Sequence, residues 1–177
     1  MREQTGDQVR RSELNSYATR EDFINVFHED LNGLYHLSFL LTGNHEKAER
    51  CFVAGIEDCV KENRVFREWA RSWARRIIIE NAIRELKPRP SFRGTSPVAT
   101  AFSQSEQSSG PDGYFDVDGV LGLGDFERFV FVMSVLERYS HHECALLLGC
   151  SVWEVRQACF QAFEQLTRSN QAASYTP

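Results

Sequence analysis

The sequence contains no long hydrophobic run. Its strongest candidates, residues 37–41 and 76–79, fall far short of the roughly 18 apolar residues that a transmembrane helix needs. Residues 1–20 are polar and lack the apolar stretch of a signal peptide. We therefore expect a soluble, cytoplasmic protein that makes no membrane contact.

Glycine and proline are also scarce. The 177 residues include 11 glycines and 5 prolines, which excludes a fibrous or low-complexity chain. In contrast, 42% of the residues are hydrophobic and 25% are charged, and this balance is typical of a protein with a buried core. The chain is therefore predicted to fold as one ordinary domain or two small ones.

The motifs of metal and catalytic sites are missing as well. The five cysteines form no Cys-x-x-Cys pair and lie in apolar helical patterns, so we interpret them as reduced core residues. Four candidate metal ligands lie close together in the sequence, but their spacing matches no zinc-binding motif: His141, His142, Cys144 and Cys150. The sequence also lacks a phosphate-binding glycine loop and a Gly-x-Ser-x-Gly motif. The prediction is a protein that is not an enzyme and holds no metal or cofactor.

Charge, although abundant, is unevenly distributed. The whole chain has 20 Lys and Arg against 25 Asp and Glu, a formal charge of -5. Residues 64–93 hold nine basic and three acidic residues, whereas residues 111–164 hold three basic and nine acidic residues. A basic cluster of this density exceeds what solubility requires, so the first half is predicted to bind nucleic acid.

A proline-spaced segment separates these two regions. Residues 87–113 contain four prolines among Ser, Thr, Gln and Gly, a composition that neither continues a helix nor forms a core. So long an unstructured stretch favours two domains over one. We predict a helical domain over residues 20–87, a flexible linker over residues 88–117 and a second domain over residues 118–168.

Apolar residues recur at steps of three and four on both sides of the linker, and no strand-like alternation is present, so the predicted fold is all-α. One helix is predicted through residues 23–41, and Asn44 is predicted to cap the next. A third begins near Val65, with Trp69 and Trp73 on its apolar stripe. For the tryptophans, packing in the core is favoured over stacking on unpaired bases.

The second domain is predicted to contain three helices, capped by Asp125, Ser140 and Ser151. The last two have the layout of a helix-turn-helix. Ala145 is small where the helices would cross, Gly149 lies in the turn, and Val155 returns to the core. This spacing favours a helix-turn-helix that presents its second helix outward.

With these motifs, the chain resembles bacterial RNA polymerase sigma factors of the extracytoplasmic-function type, divergent members of the sigma-70-like family. The first half is similar through YHLSFLLTGNHEKAERCF, with its Thr-Gly turn and Ala-Glu pair, and through VFREWARSWARRIIIENAIREL. The second half is similar through YSHHECALLLGCSVWEV, and Arg128 lies in register with an arginine of the family. The resemblance covers roughly residues 22–86 and 121–166.

The resemblance implies a transcription initiation factor that binds the RNA polymerase core and directs it to promoter DNA, with an anti-sigma protein as a further candidate partner. It implies DNA contacts at nine positions: Arg71, Arg75, Arg76, Asn81, Arg84, Ser151, Trp153, Arg156 and Gln157. It implies polymerase contacts at four positions: Glu46, Glu49, Arg50 and Val53.

The predicted recognition helix leaves a second interpretation open. Where the family usually has Lys, Arg or Thr, this helix has Glu154, Ala158, Gln161 and Glu164. Arg156 is its only base, and nonspecific DNA affinity scales with the number of phosphates that are neutralised. The alternative is a sigma-like interaction or regulatory module that has lost promoter binding and holds a protein with its acidic second domain.

Overall fold

A computed structural model of the chain describes residues 16–61, 64–90 and 117–173. The regular secondary structure of these residues is helical, and the only extended pairing within them is an isolated antiparallel bridge between Tyr17 and Phe66. The all-α fold class is confirmed. Most of the predicted linker, residues 91–116, lies outside the described residues, and the predicted domain boundaries stay a prediction.

The described segments contain eight α-helices. In chain order they are α1 Arg20–Glu29, α2 Leu31–Thr42, α3 His45–Val60, α4 Ala70–Leu86, α5 Val117–Leu121, α6 Asp125–Phe131, α7 His141–Leu148 and α8 Val152–Ala173. A 3-10 turn, Arg67–Trp69, leads into α4, and a π turn, Val132–Leu136, continues α6.

The single helix predicted through residues 23–41 is in fact two, because the chain breaks at Asp30. Asp30 ends α1 with its backbone N–H on the Val26 carbonyl and immediately precedes α2. Its carboxylate lies over Gly33, where no side chain competes for the space. The Asp30 side chain makes no hydrogen bond to the start of α2; its carboxylate instead accepts from Arg75 of α4 at 3.2 Å.

Helices α3 and α4 pack closely in the first half. Asn44 caps α3 as predicted, its side chain accepting from the Lys47 backbone N–H at 3.0 Å. Gly55 is buried against Ile78, and a Cβ at this position would collide with the Ile78 side chain. Because Gly55 has no side chain, α4 packs closely against α3 at this position.

Helix α4 begins later than predicted, at Ala70 instead of near Val65. Trp69 consequently precedes the helical apolar stripe and is 56% exposed, so the favoured prediction of core packing is wrong for this residue. Trp73, one turn into α4, is half-buried against the core. The two tryptophans thus occupy different environments.

In the second half, two of the three predicted caps are confirmed. Ser140 and Ser151 each bond the backbone three residues ahead, and the glutamate at that position bonds back to the cap. Asp125 is not a cap. Gly124 occupies the cap position, and the Asp125 carboxylate instead accepts from Arg128 at 2.6 Å.

Helices α7 and α8 are joined by a short turn in which Gly149 has φ +64°, the left-handed conformation that glycine tolerates best. Val155 returns to the core as the spacing predicts. Ala158, predicted at a DNA-facing position, is instead 3% exposed because it lies on the same side of α8 as Val155. Whether this pair of helices binds DNA stays a prediction.

The two helical halves are in contact. Arg128 of α6 is 4% exposed and donates to the Leu41 carbonyl at 3.2 Å and to the Leu123 carbonyl at 3.1 Å. Leu41 is in the last turn of α2, where the carbonyl groups form the negative end of the helix dipole. A buried cation of the second half is therefore stabilised in part by a backbone carbonyl of the first half.

Candidate nucleic-acid interface

A groove of about 930 Å³ lies between α4 and the turn that follows the π segment. We call it the α4 groove. Its walls come from both halves of the chain and combine aromatic, basic and acidic side chains: Arg64, Val65, Trp69, Ser72, Trp73, Arg75, Arg76, Leu136, Glu137, Arg138, Tyr139 and Glu143.

The aromatic side chains of the α4 groove differ in exposure, and Trp69 is the exposed one. Trp69 meets the Phe66 ring edge to face, with 5.4 Å between centroids, and Phe66 stacks on Tyr17 at 5.0 Å. Trp73 lines the same groove, and the indole Nε1 of Trp73 is buried with no hydrogen-bond partner. A buried N–H without an acceptor is costly, and an acceptor brought by a ligand would remove that cost.

Two arginines of the α4 groove are available for an anion. Among the described residues, the side chains of Arg64 and Arg138 have neither an ion-pair nor a hydrogen-bond partner. Arg138 also has φ +59°, a conformation that side-chain-bearing residues rarely adopt and that tends to occur at functional sites. The groove therefore presents unpaired positive charge beside an exposed indole.

The other two arginines of the groove are already paired. Arg75 donates to Glu137 through two nitrogens, at 2.7 Å and 2.5 Å, and to Asp30 at 3.2 Å. Arg76 donates to Glu80 at 2.9 Å, one turn along α4. Both were predicted to contact DNA, and a phosphate would have to displace a carboxylate from each.

Three further predicted DNA contacts lie outside the α4 groove. Arg71 pairs with Glu29 at 3.0 Å. Asn81 is buried and donates to the Asp58 carboxylate at 3.2 Å and to the Ile77 carbonyl at 3.0 Å, so contact with a base would require these bonds to break. Arg84 donates to the same Asp58 at 2.5 Å.

The predicted polymerase-docking residues do come together, in a second groove of about 710 Å³ along α3 and α4. Arg50 bridges Glu46 at 2.6 Å and Glu85 at 2.7 Å, and the side chain of Val53 is exposed beside them. The same groove includes Glu49 and, from the predicted DNA set, Asn81 and Arg84. The structure thus groups two predicted DNA residues with the docking surface.

The predicted contacts on α8 form a separate surface. Ser151 is occupied as the helix cap, whereas Trp153 is 61% exposed and Arg156 and Gln157 are exposed. None of them lines the α4 groove. Eight of the nine predicted DNA contacts therefore fall on three surfaces, and the ninth, Arg71, lines neither groove.

Sequence reasoning missed the contribution of the second half to the α4 groove. Glu137, Arg138 and Tyr139 follow the π turn in a region that composition marks as acidic. Arg64 belongs to the basic cluster of residues 64–93, but the resemblance implies no contact at this position. No local pattern marks these residues, since the groove exists only where α4 meets the second half.

Asp58 lies behind the second groove, where its carboxylate accepts hydrogen bonds from Asn81 and Arg84. Hydrogen bonds from Lys61 and Arg84, with a smaller one from Asn81, lower the pKa of Asp58 from 3.8 to about 2. The ionised carboxylate therefore stabilises the fold fully above pH 3.8, and this contribution is lost as the pH falls to about 2.

We expect Asp58→Asn to lower the melting temperature at pH 7 and to have much less effect near pH 2. Thermal unfolding followed by circular dichroism at both pH values measures the two differences. Glu57→Gln is the matched control, because Glu57 is exposed on the same helix and has no described ion pair. A deficit for Asp58→Asn that is as large at pH 2 as at pH 7 would contradict the assignment.

Within the described residues, the thiols and carboxylates form no metal site that would compete with the two grooves. All five cysteines are free, and burial raises the pKa of Cys59 and of Cys144 to about 12. Across the part of the chain that the structure describes, no three His, Cys, Asp or Glu side chains are grouped as metal ligands. In the same part, no helix is both long and apolar enough to cross a bilayer.

No protein-family model and no curated protein matches the chain.

Proposed function

We propose that this chain is a sigma-70-like transcription initiation factor that binds the RNA polymerase core and directs it to promoter DNA. The observation that carries the proposal is the α4 groove, which places the exposed ring of Trp69 beside the unpaired arginines Arg64 and Arg138. Aromatic faces stack on unpaired bases and guanidinium groups bind phosphate. An opened DNA strand supplies both.

The chemistry of the groove favours a single strand over a duplex. In a duplex the base faces are stacked on one another, so an exposed indole gains no contact with them, whereas an unpaired base can stack on it. Within this proposal, the groove holds the melted strand while other parts of the assembly read duplex DNA.

The second groove supports a role for the first half in docking to the polymerase. Glu46, Glu49, Glu57 and Glu85 make this surface largely acidic, and exposed Val53 gives it an apolar centre. An apolar centre within a charged rim is the usual form of a protein interface. DNA would be repelled by the same carboxylates, which separates the two roles of the first half by surface.

The test is co-purification and transcription with the polymerase of the host from which the chain comes. The tagged full chain should retain the polymerase core subunits, and the purified complex should start RNA at discrete positions on host genomic DNA. Core polymerase without the chain should not use these positions. Retention of no polymerase subunit would contradict the proposal.

A matched variant separates docking from DNA binding. Arg64→Glu combined with Arg138→Glu reverses the two unpaired charges of the α4 groove and leaves the second groove unchanged. We expect the double variant to retain the polymerase and to lose the discrete start positions. Undiminished initiation by the variant would exclude the α4 groove as the strand-binding surface.

One observation favours the alternative, a sigma-like protein-interaction module. Trp153 and Phe160 lie seven residues apart on α8, opposite its buried face, and are 61% and 52% exposed. Arg156 is the single base near them, and such a surface suits a protein better than phosphates. Under this alternative, Trp153→Ala would abolish capture of a partner other than polymerase, and the wild-type chain would direct no initiation.

A further inference from the structure

One ion pair joins the two halves of the chain at the edge of the α4 groove. The Arg75 guanidinium donates through Nε and Nη2 to the two oxygens of Glu137, at 2.7 Å and 2.5 Å. This parallel, two-bond geometry is the strongest form of an arginine–carboxylate pair. The partners are 62 residues apart in sequence, so only the packing of α4 against the second half brings them together.

The pair is protected from solvent. The Glu137 side chain is 10% exposed and the Arg75 side chain 31%. Asp30, at the break between α1 and α2, holds the third side of the guanidinium at 3.2 Å. Salt and water screen a partly buried ion pair much less than an exposed one. We therefore expect this pair to stabilise the contact between the two halves more than an exposed pair would.

Glu137 is positioned by the turn that follows the π segment. Glu137 ends the π turn, and the next residue, Arg138, has the strained φ of +59° that turns the chain toward Tyr139 and α7. The turn therefore projects a carboxylate from the acidic half onto the basic face of α4. A carboxylate in this geometry occupies the two N–H positions that a phosphate would take.

We propose that the Arg75–Glu137 pair is a latch that holds the two halves closed and keeps Arg75 from binding phosphate until it opens. The masking step rests on the proposed function, because it assumes that α4 binds a DNA strand. The closing step does not. If the latch is closed in most molecules, only the small open fraction binds a strand through Arg75. The apparent affinity for the strand is then the intrinsic affinity multiplied by that fraction.

The latch is tested by Glu137→Gln in the full chain, with two readouts. Small-angle X-ray scattering should show a larger radius of gyration than for the wild type, because the closing charge is gone. Fluorescence anisotropy with a labelled 12-nucleotide oligothymidine should show binding tighter by about tenfold, the usual effect of one charge-assisted contact. The salt dependence of binding should steepen by about 0.7, the value for one added phosphate contact to a single strand.

Two further variants make the test specific. Glu127→Gln removes the same charge from the same half, and among the described residues Glu127 has no ion pair, so it should match the wild type in both readouts. Arg75→Glu combined with Glu137→Arg reverses the pair and should restore the wild-type radius of gyration. Far-ultraviolet circular dichroism should show the same helix content for all variants.

The outcomes separate the latch from the proposed function. A radius of gyration that is unchanged in Glu137→Gln, or that the reversed pair does not restore, overturns the latch. Expansion without tighter oligothymidine binding overturns the masking step. If Glu137→Gln expands and binds more tightly while the wild-type chain retains no polymerase, the latch is supported and the transcription proposal alone fails.

Discussion

Replacing Trp69 with alanine should weaken binding of the full chain to a single DNA strand by about 10- to 100-fold. Stacking of one base on an aromatic ring contributes about 1–3 kcal/mol, and Trp69 is the most exposed aromatic side chain of the α4 groove. Because Trp69 is 56% exposed and precedes α4, its replacement should change the melting temperature little. Fluorescence anisotropy and thermal unfolding measure the two quantities.

Trp153→Ala is the matched control for this prediction. Trp153 is 61% exposed, slightly more than Trp69, but it lies on α8 and not in the α4 groove. Its replacement should leave single-strand binding unchanged. Equal losses in the two variants would mean that exposed tryptophan, and not the groove, determines the affinity.

Replacing Arg128 with methionine should lower the free energy of unfolding by about 3 kcal/mol. The change keeps most of the side-chain volume but removes the donors to the Leu41 and Leu123 carbonyls. Hydrogen bonds to a charged group contribute about 1.5–3 kcal/mol each, and a buried carbonyl left without a donor adds its own cost. Urea unfolding of the two proteins gives the difference directly.

The control here is Arg156→Met, the same change at an exposed arginine of α8. Surface substitutions of this kind usually change stability by less than about 0.5 kcal/mol. If Arg128→Met were no more destabilising than Arg156→Met, the buried guanidinium would contribute nothing to the joining of α2 and α6. The packing of the two halves would then rest on apolar contacts and on the Arg75–Glu137 pair.

The charge pattern of the sequence has a different meaning once the fold is known. Residues 64–93 carry a formal excess of positive charge, yet most of the α4 arginines are paired with carboxylates from other elements. Glu29, Asp58 and Glu137 supply these partners, and each is far from its arginine in the chain. Charge counted along a segment therefore overstates the charge available to a ligand, and Arg64 and Arg138 matter more than their number suggests.

Local features were predictable from sequence. Helix periodicity defines which face is buried, and caps such as Asn44, Ser140 and Ser151 act on backbone only three residues away. Gly149 likewise adopts its left-handed turn for a reason contained in its own chemistry. These interactions span a single helical turn, so the sequence alone determined the all-α class and the starts of α3, α7 and α8.

Only the tertiary structure decided which side chains meet. The break at Asp30, the exposure of Trp69 and the burial of Asn81 depend on neighbours from other helices. The pair of Arg75 with Glu137 and the bonds of Arg128 to Leu41 join residues separated by 62 and 87 positions. Contacts of that range follow from how the helices pack, which no local pattern specifies, and the α4 groove is made of such contacts.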